Sequence, residues 1–177
     1  MRYVCQRYAR TSFEVEDIFQ EAFVKVLLNI QRFSGKGSLE GWIRKIFVHT
    51  AIDYYKKNSR WADQRQLDDN DNDTADLHLA DEYFEQLANS LSSDDLLSIV
   101  NKLPDGYRVV FNLYAIEGFT HAQIAESLKV TEGTSKSQLS KARKMLRELI
   151  KEQVAKRPAE VVQFKMDKSV ANWGFSV

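Results

Sequence analysis

Apolar positions recur every three or four residues along most of this chain, and almost nowhere at every second residue. That periodicity predicts helices and an all-α protein. Tyr3, Val4, Arg7 and Tyr8 sit one turn apart, so residues 2–10 read as the end of a helix, broken by Thr11 and Ser12. A second helix is expected over Glu14–Ile30, with Ile18, Phe19, Ala22, Phe23, Val26, Leu27 and Ile30 on a wide apolar face. A third is expected over Gly41–Asn58, burying Trp42, Ile43, Ile46, Phe47, Ala51, Ile52 and Tyr55. The pattern then lapses. Gln64–Ala80 carries five aspartates and too few apolar residues for a core, and reads as a flexible linker. Tyr83, Phe84, Leu87 and Leu91 suggest a short docked helix. Helices over Asp95–Lys102, capped by Ser92, Ser93 or Asp94, and over Tyr107–Glu117 come next, the second closed by Gly118.

The most organised stretch is Phe119–Leu149. Thr120 can cap a helix carrying Ile124, Ala125 and Leu128. Lys129 and Val130 form a turn, and Thr131 can cap a second helix with the stripe Leu139, Ala142, Leu146 and Leu149. The opposite face holds Thr134, Lys136, Ser137, Ser140, Lys141, Arg143 and Lys144, with few carboxylates after Glu132. Short hydroxylic side chains suit base edges, and flanking cations suit phosphates, as a recognition helix requires. A plain amphipathic hairpin with a solvated basic face has the same spacing. Beyond Pro158 the tail 153–177 keeps Val161, Val162, Phe164, Trp173 and Phe175, which suit docking on the protein itself or on a partner.

Charge changes the picture more than composition does. The net charge is zero, but residues 1–60 hold 11 Lys/Arg against 6 Asp/Glu, and residues 61–98 hold 1 against 11. Residues 99–152 return to 9 against 6. Two basic blocks around an acidic one fit two nucleic-acid-facing domains on a linker, with boundaries at 1–61, 62–94 and 95–152. Two prolines and seven glycines leave little punctuation for anything but helix. No apolar run approaches the roughly 20 residues of a bilayer span. The start has no signal core, so a cytoplasmic location is expected. The lone Cys5 reads as a core thiol.

Candidate chemistry is sparse. Ser34, Gly35, Lys36, Gly37 and Ser38 form a loop of free backbone amides around one cation, without the spacing of a Walker loop. Arg44, Lys45, Lys56 and Lys57, interleaved with Tyr54 and Trp61, suit single-stranded nucleic acid, where each stacked base contributes about 1–3 kcal/mol. His49 and Asp53 lie four apart, but no further histidine or cysteine accompanies them, so no metal site is expected. The aspartate-rich run lacks the central glycine and closing glutamate of an EF-hand. No nucleophile–base constellation stands out, and neither an enzyme nor a bound cofactor is expected. Asp17, Gln20 and Glu21 cluster with Glu16 early in the second helix, where helix-dipole complementation alone would place carboxylates.

Two stretches carry a resemblance. EDIFQEAFVKVLLNIQRFSGKGSLEGWIRKIFVHTAIDYYKK (16–57) resembles region 2, and LPDGYRVVFNLYAIEGFTHAQIAESLKVTEGTSKSQLSKARKML (103–146) resembles region 4, of RNA polymerase sigma factors of the extracytoplasmic-function group. The arrangement, with no region 3 between them, is that group's too. The resemblance implies a promoter-specificity subunit that partners core RNA polymerase and promoter DNA, and that is commonly held by an anti-sigma factor. It implies that Asp17, Gln20 and Glu21 dock on the polymerase. It implies that Ser34–Ser38 captures a flipped base of the minus-ten element, with Arg44, Lys45, His49, Lys56 and Lys57 along the melting strand. It assigns the polar face from Thr134 to Lys144 to the minus-thirty-five duplex. Departures bear on specificity: His49 stands where the family often has Asn, Gln123 where it often has Glu, and Ser135-Lys136-Ser137-Gln138 where it often reads Val-Lys-Ser-Arg. The family also has a helix before the first residue here, so a shortened N-terminus is expected. A stand-alone helix-turn-helix regulator is the alternative, and it leaves 16–57 without a role.

Overall fold

The computed structural model describes residues 1–58 and 91–155, and the chain divides into two units, Met1–Gln64 and Arg65–Val177. All regular structure among the described residues is helical. The readings made for Trp61, Gln64–Ala80, Tyr83 to Leu87 and the tail beyond 155 lie outside the described residues.

The first unit contains α1 (Arg2–Gln6), α2 (Ser12–Asn29), a 3-10 turn (Ile30–Arg32) and α3 (Leu39–Asn58). α1 is shorter than the periodicity predicts, and Tyr8 and Ala9 are buried in the turn that follows it. Thr11 does more than break that helix. Its hydroxyl accepts from the Glu14 N–H at 3.2 Å while the Glu14 carboxylate accepts from the Thr11 N–H, a capping box that starts α2 two residues early. Ser38 plays the same part for α3, its hydroxyl accepting from the Gly41 N–H at 3.3 Å.

The core stripe of α2 is Val15, Ile18, Ala22 and Val26, packed on α1 and on Phe47, Val48, Ala51, Ile52 and Tyr55 of α3. Phe19 meets Phe47 edge-on at 5.4 Å. The expected wide face is therefore narrower than its apolar pattern. Phe23, Leu27 and Ile30 are 49%, 58% and 41% exposed, because two neighbours cover only one side of an 18-residue helix. On α3, Trp42, Ile43 and Ile46 are half-buried rather than central.

The second unit contains α4 (Ser93–Asn101), α5 (Asp105–Phe111), a π-helical turn (Asn112–Ile116), α6 (His121–Leu128) and α7 (Glu132–Ala155). Of the three candidate caps, Ser92 is the one used, in a capping box with Asp95. α5 begins at Asp105, directly after Pro104. Arg108 is almost wholly buried and pairs with Asp105 at 2.8 Å. Gly118, at φ +72°, takes the chain out of the π turn.

α6 and α7 form the hairpin. Thr120 and Gln123 make a reciprocal capping box, with Gln123 doing through its side-chain carbonyl what a glutamate would do. α6 ends at Lys129 in a left-handed conformation (φ 57°, ψ 46°), and the Val130 N–H reaches back to the Ala125 carbonyl at 3.0 Å. Thr131 caps α7 through the Thr134 N–H at 3.0 Å. Ser135, Leu139, Ala142, Leu146 and Ile150 are the buried stripe of α7, against α5 and α6. At about 1.5–3 kcal/mol for each large apolar side chain, this stripe outweighs the capping bonds.

Candidate nucleic-acid interfaces

On α7 the predicted face divides by what each side chain already does. Lys136 and Lys144 are exposed. Thr134 is half-buried, its hydroxyl 2.9 Å from that of Thr131, so it belongs to the cap. The Ser137 hydroxyl donates to the Thr134 carbonyl at 3.1 Å and so turns back on its own helix. Ser140 and Lys141 are half-buried. The Arg143 guanidinium lies 5.8 Å from the centroid of the Tyr114 ring, a cation–π distance. The lysines are thus the side chains on this face best placed for phosphates, and Arg143 is held beside the π turn.

Sequence reasoning gave His121 no role and met Ser135 only as a departure from the family pattern. Their side chains meet, Nδ1 to Oγ, at 2.9 Å across 14 residues. The imidazole also stacks on Tyr114, with ring centroids 4.6 Å apart and planes 24° apart. Burial holds the His121 pKa below the ordinary histidine value. Lys136 and Arg143 push it the same way, and Glu132 opposes them.

In the first unit a cleft of about 470 Å³ opens between the C-terminal half of α2 and α3. It brings together two residues of the expected minus-ten set, Lys45 and His49. It adds Lys25, Asn29 and Arg32 from α2 and its 3-10 turn, and Trp42 and Asp53 from α3. The sequence offered a partial signal for the additions, since Lys25, Asn29 and Arg32 follow one another at four- and three-residue spacing. The Asn29 amide donates to the Lys25 carbonyl at 2.8 Å, and Asp53 pairs with Lys56 at 2.9 Å. Arg44, Lys56 and Lys57, and the loop from Ser34 to Ser38, do not line the cleft.

That loop is exposed throughout. Gly35 and Gly37 both have positive φ (72° and 85°), and an added Cβ at either would meet nothing within 4 Å. Glycine is required there by the backbone and not by crowding. Phe33, at the start of the loop, packs on Trp42 with ring centroids 5.7 Å apart, so the loop is anchored at one wall of the cleft.

Asp17 is half-buried, and Gln20 and Glu21 are exposed on α2. Glu21 is paired, with Lys25 reaching it at 2.7 Å. The pair is more than a third exposed on both sides and contributes about 1 kcal/mol at most. The same side of the helix carries exposed Phe13, Val24 and Leu28, at 73%, 52% and 77%. Their three- and four-residue spacing from Asp17, Gln20 and Glu21 was available in the sequence, but an exposed apolar residue looks there like a core one.

The chain matches two models of one family, in the expected order. "Sigma-70 region 2" matches residues 1–60 and "Sigma-70, region 4" matches residues 93–146. Among curated relatives, the ECF RNA polymerase sigma-E factor of Haemophilus influenzae is 28% identical over 139 residues, 75% of this chain and 72% of the relative. The ECF RNA polymerase sigma factor SigW of Bacillus subtilis is 28% identical over 159 residues, 84% and 82% of the two chains. Among solved structures, the sigma factor RpoE of Bartonella quintana, crystallised with the anti-sigma factor NepR, is similar in fold. The TM-score is 0.50 at 22% identity, over 85% of this chain and 89% of that one. Two sigma regions in order, each with its helices and the second with its capped hairpin, place this chain in the sigma-70 family, among the extracytoplasmic-function sigma factors.

Proposed function

We propose that this promoter-specificity subunit divides its work among three surfaces. The exposed side of α2, with Asp17, Gln20 and Glu21 set among Phe13, Val24 and Leu28, docks on core RNA polymerase. The cleft between α2 and α3 and the adjoining loop Ser34–Ser38 receive the minus-ten strand. The face of α7 led by Lys136, Ser140 and Lys144 meets the minus-thirty-five duplex.

The observation that carries this division is the cleft. Extruding a base costs a few kcal/mol of lost stacking, which a receiving pocket must offset. Here an indole, three cations and an imidazole border one cavity, so a ring face and phosphate-binding charges are available together. His49 lies in that lining. It gives the site an imidazole edge where relatives often have an amide, so its base preference will differ from theirs. Melting proceeds on binding energy alone. The chain performs no catalysis, and the polymerase makes the RNA. Work on the chromosome with polymerase sets its location in the cytoplasm. By analogy with the Bartonella protein, an anti-sigma protein is a further partner of this chain.

The docking surface is tested by a pull-down with core polymerase. Asp17→Ala with Glu21→Ala should weaken core binding about tenfold or more while circular dichroism stays unchanged. Leu28→Ala should add to the loss. Undiminished core affinity in both variants would remove α2 as the docking surface.

A further inference from the structure

Ser135 is an anomaly on the buried stripe of α7. It is fully buried, its neighbours along the stripe are Leu139 and Ala142, and it carries a hydroxyl. A buried hydroxyl needs a partner, and here it is the imidazole of His121, the first residue of α6, at 2.9 Å. The other face of that imidazole arrangement is Tyr114, which the π turn supplies and which also lies under Arg143. Three separate segments therefore meet at one ring: the π turn, the first residue of α6 and the first turns of α7. Ser135 stands between Thr134 and Lys136, so whatever fixes Ser135 fixes the direction in which that part of α7 faces.

We propose that His121 is a positioning residue for duplex recognition. Clamped between Tyr114 and Ser135, it locks the N-terminal turns of α7 against the start of α6, so that Lys136 and its neighbours meet the minus-thirty-five element in one register. This rests on the assignment of α7 to that element. The apolar stripe beyond Ser135 holds α7 against its neighbours at Leu139 and further on, but a stripe of smooth side chains tolerates small rotations. A directional hydrogen bond at the leading turn removes that freedom. Arg143 joins the same cluster two turns later, through Tyr114, which ties a second cation of the face to it.

Ser135→Ala is the informative variant. It removes one buried oxygen, leaves a good helix former, and alters no atom that DNA can touch. The experiment is a double-mutant cycle in holoenzyme assembled from the full chain and core polymerase. Its DNA is a promoter that the wild-type holoenzyme initiates from, and the same promoter with its minus-thirty-five element substituted. Ser135→Ala and His121→Ala should each weaken binding to the intact promoter about 3- to 10-fold, the scale of one hydrogen bond's net contribution. The double variant should be no weaker than the worse single one, because both remove the same interaction. Neither should affect the substituted promoter. His121→Asn, which returns a polar atom near the position of Nδ1, should recover part of the loss. Unchanged affinity in Ser135→Ala, additive losses, or equal losses on the substituted promoter would each overturn the proposal. If the wild-type holoenzyme itself fails to distinguish the two promoters, the assignment of α7 falls, and the positioning role with it.

Discussion

Single residues set the conditions under which this chain is stable and how it meets DNA. Cys5 is fully buried, and burial pushes its thiol up to about 11. It is thus a protonated core group and a poor nucleophile. A thiol reagent at pH 8 should label it far more slowly in the native protein than in urea; equal rates would contradict its burial. His121 gives a pH dependence. Its native pKa lies below the ordinary histidine value of about 6.5, so between those two values the unfolded chain binds the proton more readily. Its contribution to stability is therefore greatest above the ordinary value and falls as pH drops through that window. An NMR titration of the imidazole should give a lower midpoint in the native protein than in the unfolded chain, and a higher native midpoint would refute the stated burial. Lys136 is exposed on α7, and Lys136→Ala should reduce the slope of log affinity against log salt by about 1 in the holoenzyme–promoter complex. An unchanged slope would show that it touches no phosphate.

Elements were legible where local chemistry decides them. The caps at Thr120 and Thr131 and the turn at Lys129 and Val130 follow from side-chain hydroxyls and helical periodicity, which depend on neighbours within four residues. The π turn at Asn112–Ile116 was not legible, since an extra residue in a helical turn leaves the apolar pattern nearly intact. Exposure of Phe23, Leu27 and Ile30 was not legible either, because periodicity gives the width of an apolar face but not of what covers it. The turn offers its own test. Lys129 holds a left-handed conformation that a Cβ disfavours. Lys129→Gly should raise the stability of this unit by about 0.5–1 kcal/mol, the relieved strain being partly offset by added freedom in the unfolded chain. A loss of stability in a denaturant titration would mean that the lysine side chain itself holds the turn.

At the scale of the whole molecule, charge segregation in the sequence was enough to indicate a two-part chain facing nucleic acid, and only the resemblance of two ordered stretches to sigma regions added polymerase and promoter. What the sequence withheld is the set of contacts made across long separations. Lys25, Asn29 and Arg32 join Lys45 and His49 in one cleft only because α2 and α3 pack along their apolar stripes. Likewise His121 and Ser135 are ordinary residues until the hairpin closes. The candidate sites thus split: the basic faces were visible as patterns, and the cleft and the His121–Ser135–Tyr114 cluster at the start of α7 were not. The most direct measurement is run-off transcription by core RNA polymerase on a pool of genomic promoter fragments, with and without this chain. Discrete new start sites that share two spaced upstream elements are the predicted result. Binding to core polymerase with no new starts, or promoter binding that needs no polymerase, would contradict the assignment of these surfaces to a promoter-specificity subunit.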